Sequence, residues 1–251
     1  MSDISIAAIV TAHREGSLAG ISIQSCLDAV AEAEAHGYSV QLLANLDRPN
    51  DETRAYFADL VTEGWTIEET DFGDQGAARN HIIGLSSASH IAFLDGDDLW
   101  SRNWLVDAAK LAARCPDKTI LHPEFNWFFE ENSNIHIHCD QDHPAFDWQN
   151  LRITNYWDAL CFAPRASYED FPYSKRDVKS GFAFEDWHWN CETVLAGYNH
   201  KVVDRTIHFK RRRLGSQTLE ASGTRSLMRP TDLLNYDVAF QPSRPLQSNM
   251  T

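Results

Sequence analysis

Residues 91–98 read Ile91-Ala92-Phe93-Leu94-Asp95-Gly96-Asp97-Asp98, and the fold is decided by this stretch. Four apolar residues in a row suit a strand buried on both faces, and three carboxylates crowd its carboxyl end. Residues two apart in extended chain point the same way, so Asp95 and Asp97 can address one cation, with Gly96 permitting close approach of backbone and ligand. Hard oxygen ligands at this spacing suit Mg²⁺ or Mn²⁺. In an open α/β sheet, ligands bind beyond the carboxyl ends of the strands, which is where this cluster falls. Three acids exceed what capping the next helix requires, since Ser101 already stands at the expected cap.

Upstream, the pattern repeats strand, loop and helix. Ser5 to Thr11 (SIAAIVT) is a short apolar run suited to a buried strand, followed by the polar turn His13-Arg14-Glu15-Gly16 and Ser17 at a helix N-cap. Ile23, Leu27 and Val30 then recur at helical spacing, with Gly37 as the stop. Ser39 to Ala44 reads as a second strand, the turn Asp47-Arg48-Pro49-Asn50 opens a helix carrying Tyr56, Phe57, Leu60 and Val61, and Trp65 to Glu69 alternates like a strand. A third helix is expected over 76–88, and a fourth after Ser101 holds Trp104, Leu105, Ala108 and Leu111. Strands alternating with helices predict an α/β class: a mostly parallel central sheet with helices on both faces.

Downstream of Pro116 the rhythm changes to aromatic-rich segments among short polar stretches, with a clear helical period only over 185–197. This half reads as a smaller α+β region. The expected division is therefore 1–115 and 116–240 as two halves of one domain, with 241–251 a loose tail containing two prolines and few large apolar groups.

The 251 residues carry a formal charge of −14, which repels a nucleic-acid backbone and excludes general nucleic-acid binding. Basic residues gather in one place: Arg205, Lys210, Arg211, Arg212, Arg213, Arg225 and Arg229 stand against the single acid Glu220. That island suits a compact anion. The amino-terminal residues lack the basic start and apolar run of a secretory signal and no stretch is long enough to span a bilayer, so a cytoplasmic protein is expected. Five widely spaced cysteines without a CxxC pair read as buried thiols. The set His136, His138, Cys139 and His143 lacks the second cysteine pair of a zinc site.

With these motifs in order, the chain resembles the nucleotide-sugar-dependent glycosyltransferases of family 2, which have the GT-A (Rossmann-like) fold. Its segments IVTAHREG from Ile9, LDRPNDET from Leu46, GDQGAARNHIIG from Gly73, FLDGDDLW from Phe93, FEDWHW from Phe184 and HFKRRRLGSQT from His208 follow that family's order along most of the chain. The resemblance implies an inverting, metal-dependent transferase that moves a sugar from a nucleoside-diphosphate donor to a hydroxyl of a glycan or lipid-linked acceptor, in surface polysaccharide biosynthesis. UDP is the expected nucleotide, with GDP and dTDP open.

The resemblance also implies roles. Thr11, His13, Glu15, Asp47, Arg79, Asp95, Gly96, Arg211, Arg213 and Ser216 would bind the donor nucleotide, with Asp47 toward the base and Arg79 toward the diphosphate. Asp97, Asp95 and His208 would hold Mn²⁺ or Mg²⁺, while Asp98 would share that task or brace the loop. Of the Glu185-Asp186 pair, Asp186 would remove the acceptor proton, with Glu185 in reserve. Their apolar surroundings should raise at least one of the two pKa values into a range useful for a base. Trp187 and Trp189 are candidates for stacking on the acceptor sugar, although two residues apart on a helix they face different directions. A lipid-linked acceptor would require peripheral docking at the inner face of a membrane. Two rival readings are a catalytically silent nucleotide-sugar-binding module and a sugar-phosphate nucleotidyltransferase; the latter normally begins with a Gly-rich loop, whereas VTAHREGS has one glycine.

Overall fold

Ile6 to Val10 are fully buried on both sides of the sheet: Ile6, Ala8 and Val10 face one helical layer, Ala7 and Ile9 the other. They lie in β1 (Ser5–Ala12), the central strand of a computed structural model that describes residues 4–58, 60, 64–131, 133–213 and 223–235. The chain continues through α1 (Leu18–Ala35), β2 (Ser39–Asp47), α2 (Asp51–Ala58), β3 (Thr66–Thr70), α3 (Gln75–Ile83) and β4 (His90–Asp95). The strands β3, β2, β1 and β4 lie side by side and pair in parallel. The direction of winding reverses between β1 and β4, so a crevice opens at their carboxyl ends. Thr11 pairs with Asp95 there.

The second half extends the same sheet. β5 (Leu99–Trp100), α4 (Trp104–Ala112), β6 (Thr119–Glu130), β7 (Asn134–Ile137), β8 (Phe162–Pro164), α5 (Arg165–Asp170), α6 (Glu185–Leu195) and β9 (Asn199–Arg212) complete the order β3-β2-β1-β4-β8-β6-β9-β5, with β7 on β6. β8 joins β4 and β6 antiparallel, whereas β6 and β9 run parallel over eleven paired positions. A register shift after Pro123 and the left-handed Arg205 (φ 58°) bend β9 across the end of the sheet, which carries Lys210 to Arg213 over the crevice.

Helices cover both faces. Ala19, Ile23, Cys26 and Val30 of α1 share a core with Trp104, Leu105 and Ala108 of α4, while Ile82 of α3, Tyr168 of α5 and Trp189 of α6 fill the other. A third cluster of Leu151, Trp157, Cys191, Met228 and Leu233 lies against α6. The cysteines are free, with Cys26, Cys161 and Cys191 buried but Cys115 and Cys139 partly exposed.

Several local expectations are corrected. The hydroxyl of Ser101 accepts from the Ile207 amide (3.0 Å) and so ties the chain to β9; Asn103 precedes α4 instead, without a side-chain cap bond. α3 is capped by Asp74, whose carboxylate accepts from the Ala77 amide at 2.7 Å, and it ends at Ile83. In α2 only Phe57 of the expected face is fully buried, and Tyr56 is exposed. Val61 and the tail 241–251 lie outside the described residues. No helix among the described residues is long and apolar enough to cross a membrane.

Candidate functional site

Two cavities open along the carboxyl ends of the strands, one of about 350 Å³ between β1, β2 and β9 and one of about 490 Å³ between β6, β7, α6 and the loop before β8. Gln75, Asp95, Lys210 and Arg212 line both, so the cavities meet at Asp95.

Asp95 is fixed by three donors to one oxygen. Its Oδ1 accepts from Thr11 Oγ1 (2.9 Å), Gln75 Nε2 (2.8 Å) and Arg79 Nη2 (2.8 Å). Gly96 follows, closely packed on β1: its amide donates to the Thr11 carbonyl at 2.8 Å, and an added Cβ would meet Ala12 Cβ at 3.0 Å and Thr11 O at 3.2 Å, tighter than ordinary contacts. The close approach is thus to β1, which seats the turn on the sheet. Asp97 Oδ2 pairs with Arg213 Nε at 2.9 Å. Asp98 is buried, and its Oδ1 accepts from the Arg211 amide at 2.7 Å while its Oδ2 lies 3.6 Å from Lys210 Nζ. Burial pushes the Asp97 carboxyl up to about 6, against the pull of Arg213, and the Asp98 carboxyl up to about 8, against the pull of Lys210. Asp98 braces the loop.

Asp95 Oδ2 and Asp97 Oδ1 carry no hydrogen bond or ion pair among the described residues. Two carboxylates completed by phosphate oxygens and water are a coordination Mg²⁺ accepts, and Mn²⁺ prefers similar oxygen ligands. Among the described residues no group of three or more His, Cys, Asp or Glu could hold a metal ion, so a cation at these two carboxylates would need further ligands from a substrate or water.

The rest of the smaller cavity is lined by Thr11, His13, Glu15, Asp47, Arg211 and Arg213, which the fold brings together as expected. Asp47 has a structural task as well. Its Oδ1 accepts from Thr70 Oγ1 (3.0 Å) and the Phe72 amide (2.7 Å), and its Oδ2 from the Asp74 amide (3.2 Å), so it holds the loop that leads into α3. His13 Nδ1 contacts the Asp47 carbonyl. Ser216 lies outside the described residues.

Across the junction, the larger cavity holds the acidic pair. Phe184 adopts a left-handed backbone (φ 61°), an uncommon conformation for a bulky residue, and turns the chain sharply into α6. Glu185 and Asp186 occupy the first turn and both line the cavity. Burial, reinforced by the neighbouring Glu185, pushes the Asp186 carboxyl up to about 7. Glu185 is raised by burial too, opposed by Arg79, and lies 4.0 Å from Arg176 Nε. Asn155 Nδ2 reaches Asp186 Oδ2 at 3.3 Å, and Asn155 Oδ1 is in turn held by Asn190 Nδ2 at 2.9 Å.

Three implied roles meet a different geometry. Arg79 is buried between the rings of Phe93 and Tyr173, donates from Nη2 to Asp95, and lines the larger cavity but not the smaller one. His208 is fully buried against the edge of Trp104 (4.7 Å between centroids) and lines neither cavity, and burial lowers its pKa to about 3, which keeps the ring neutral. Trp189 is 1% exposed and stacks on Tyr168, so of the two tryptophans only Trp187 lines the larger cavity, with Nε1 bonded to the Leu151 carbonyl.

Asp158 is a residue of the site that no motif in the sequence singled out, whereas Lys210 and Arg212 belong to the expected basic island. Asp158 lines the larger cavity, where its Oδ2 accepts from Asn126 Nδ2 (2.8 Å) and Lys210 Nζ (2.9 Å). Burial alone would raise its pKa, but Lys210 holds it well below the ordinary carboxylate range. Lys210 and Arg212 themselves stand at the junction. They alternate with Arg211 and Arg213, and strand alternation was the signal that could have separated the two pairs.

The glycosyl transferase family 2 profile matches residues 7–156. Among solved structures, S. aureus TarS 1–349 in complex with UDP-GlcNAc is similar with a TM-score of 0.64 at 15% identity, covering 85% of this chain and 60% of that one. A longer S. aureus TarS structure gives 0.64 at 14% identity, covering 83% and 37%, and the 1–349 form with UDP gives 0.62 at 15%, covering 83% and 61%. This chain thus spans about 60% of the TarS 1–349 structures it resembles. At such identities the likeness is one of fold, the GT-A arrangement of sheet and helices. No curated protein matches the chain.

Proposed function

This chain belongs to glycosyl transferase family 2, and from that premise we propose that it moves a sugar from a nucleoside-diphosphate donor to a hydroxyl of a glycan or lipid-linked acceptor, with inversion at the anomeric carbon. The observation that carries this reading is the meeting of two cavities at Asp95, with a carboxylate-bearing turn on one side and the raised Asp186 on the other. UDP-sugars are the first donors to test, since a similar fold binds UDP-GlcNAc.

The smaller cavity takes the nucleotide, and Asp95 and Asp97 are the residues that would hold a Mg²⁺ or Mn²⁺ ion together with the donor's phosphates. Such a cation, when bound, neutralises charge on the departing diphosphate. The larger cavity takes the acceptor against Trp187. Asp186, with a pKa near neutrality, accepts the hydroxyl proton as the acceptor oxygen bonds to the anomeric carbon. The bond from that carbon to the phosphate oxygen breaks, and its electron pair leaves with the diphosphate. Asn155 orients Asp186 through the bond from its Nδ2 to Asp186 Oδ2. A place in surface polysaccharide synthesis, with peripheral contact to a membrane carrying the acceptor, is consistent with this chemistry.

The test is a screen of UDP-, GDP- and dTDP-sugars with Mn²⁺ or Mg²⁺, reading nucleotide release against an acceptor panel. Asp97→Asn should weaken donor binding, and Asp186→Asn should bind donor normally but lose transfer. The opposite assignment, or tight UDP binding without turnover on any acceptor, contradicts the proposal.

A further inference from the structure

A cavity of about 360 Å³ lies at the other end of the sheet, where β1, β4 and β6 begin and α4 ends. Its volume falls within the roughly 300–1,000 Å³ of small-molecule sites. Ile4, Pro116 and Pro164 give it apolar walls, and His90, Asp117 and Thr119 set polar groups among them. β4 runs from His90 in this cavity to Asp95 at the junction, so a strand length of about 17 Å separates the two places.

Ser89 Oγ stands 3.0 Å from both the Ser5 carbonyl and His90 Nδ1, and it has one hydrogen. With that hydrogen on the carbonyl, His90 Nδ1 donates to Ser89 and Nε2 is left a bare acceptor without a hydrogen bond among the described residues. Burial, opposed by the nearby Asp117, lowers the His90 pKa to about 4, so the ring is neutral near pH 7. Thr119 is 4% exposed, and its hydroxyl has no hydrogen-bond partner among the described residues, a cost that a guest able to donate would relieve. Asp117 stands exposed at the rim, and its carboxylate makes no hydrogen bond or ion pair among the described residues. α4 ends at Ala112 with Ala113 as its C-cap, and both line the cavity, which places the partial negative charge of a helix carboxyl end there. No Lys or Arg among the described residues lines it.

We propose that this cavity is a second binding site, one that takes a compact organic cation: a primary ammonium carried on an apolar body. His90 Nε2, the Thr119 oxygen and the Asp117 carboxylate all accept hydrogen bonds, and an ammonium has three N–H groups to give and no acceptor. Asp117 and the end of α4 favour the positive charge and repel an anion, while Ile4 and the two prolines cover the apolar part. The cavity shares no residue with the two at the carboxyl ends of the strands, so its occupancy is independent of the nucleotide-sugar reading.

The test compares 2-phenylethylamine with 2-phenylethanol and 3-phenylpropionate, its neutral and anionic counterparts, by ligand-observed NMR at pH 7. Cys115, partly exposed in the cavity wall, reports where the ligand sits through its rate of alkylation by iodoacetamide, read by peptide mass spectrometry. Wild type should bind the amine saturably, the alcohol more weakly and the carboxylate not at all, and saturating amine should slow alkylation of Cys115. Asp117→Asn, at an exposed position that the fold does not depend on, should weaken the amine by about 3- to 10-fold and leave the alcohol unchanged. Thr119→Val, which keeps the side-chain shape and removes the hydroxyl, should weaken the amine as well. Absence of saturable amine binding, equal affinity for amine and alcohol, an amine affinity untouched by Asp117→Asn, or alkylation of Cys115 at the same rate with and without the amine overturns the proposal, whatever UDP does at the other end of the sheet.

Discussion

Arg79 Nη2 meets Asp95 Oδ1 at 2.8 Å, and the arginine side chain is 3% exposed. The pair joins α3 to the end of β4, beneath the point where the two cavities join. Removing one partner of a buried pair leaves an uncompensated charge, which typically costs about 3–5 kcal/mol. Arg79→Met should therefore lower stability by about that amount in urea unfolding, and should weaken donor binding through a displaced Asp95. A variant with unchanged stability and a purely kinetic defect would instead mean that Arg79 acts directly on substrate.

Gly96 leaves a side chain only tight space. The atoms that a Cβ would meet belong to the β1 strand end, Ala12 and the Thr11 carbonyl, which cannot swing aside. Gly96→Ala should cost about 1–3 kcal/mol by overpacking and lift Asp97 away from the cleft, lowering affinity for UDP in the presence of Mn²⁺. Thermal unfolding and calorimetry on the same preparation check both effects.

His208 carries two ring nitrogens with no hydrogen-bond partner among the described residues, in the buried space beside Trp104 and Trp100. An apolar ring or branched chain there removes unsatisfied polar atoms. His208→Leu should leave Mn²⁺-supported UDP affinity unchanged and stability unchanged or higher by about 1 kcal/mol. A tenfold loss of the manganese effect would restore His208 as a ligand.

The raised Asp186 carboxyl makes stability depend on pH. Its folded-state pKa is about 7 against 3.8 for an ordinary aspartate, so the stability it contributes in protonated form is full below about pH 4 and is lost as pH rises through 7. The side-chain amide introduced by Asp186→Asn does not ionise. That variant should thus gain on wild type as pH rises from 4 to 8, by about 1–4 kcal/mol. Unfolding midpoints at pH 4, 6 and 8 give the comparison; a constant difference would contradict the raised pKa.

The parallel half of the sheet was legible because β1 and β4 are short apolar runs buried on both faces, and the acids after Leu94 marked the strand end that bears the site. The Glu185-Asp186 turn was legible as a pair of acids in an aromatic setting. The burial of Arg79 and His208 was not legible for one physical reason: no local pattern marks a polar residue near a motif as buried, whereas three-dimensional packing places Arg79 between Phe93 and Tyr173 and His208 against Trp104. Trp187 and Trp189 carried no local signal of which one would enter the core. Asp158, in the segment before β8, and Lys210 on β9 are 52 residues apart, a contact that no short window of sequence contains.

The most direct measurement is an anomalous-scattering crystal structure of the protein with Mn²⁺ and UDP. The account predicts a manganese peak bonded to Asp97 and Asp95 oxygens and to the diphosphate, with the terminal phosphate pointing into the larger cavity toward Asp186. Manganese absent from those carboxylates, or a nucleotide lying with its phosphates turned away from the junction, would contradict it.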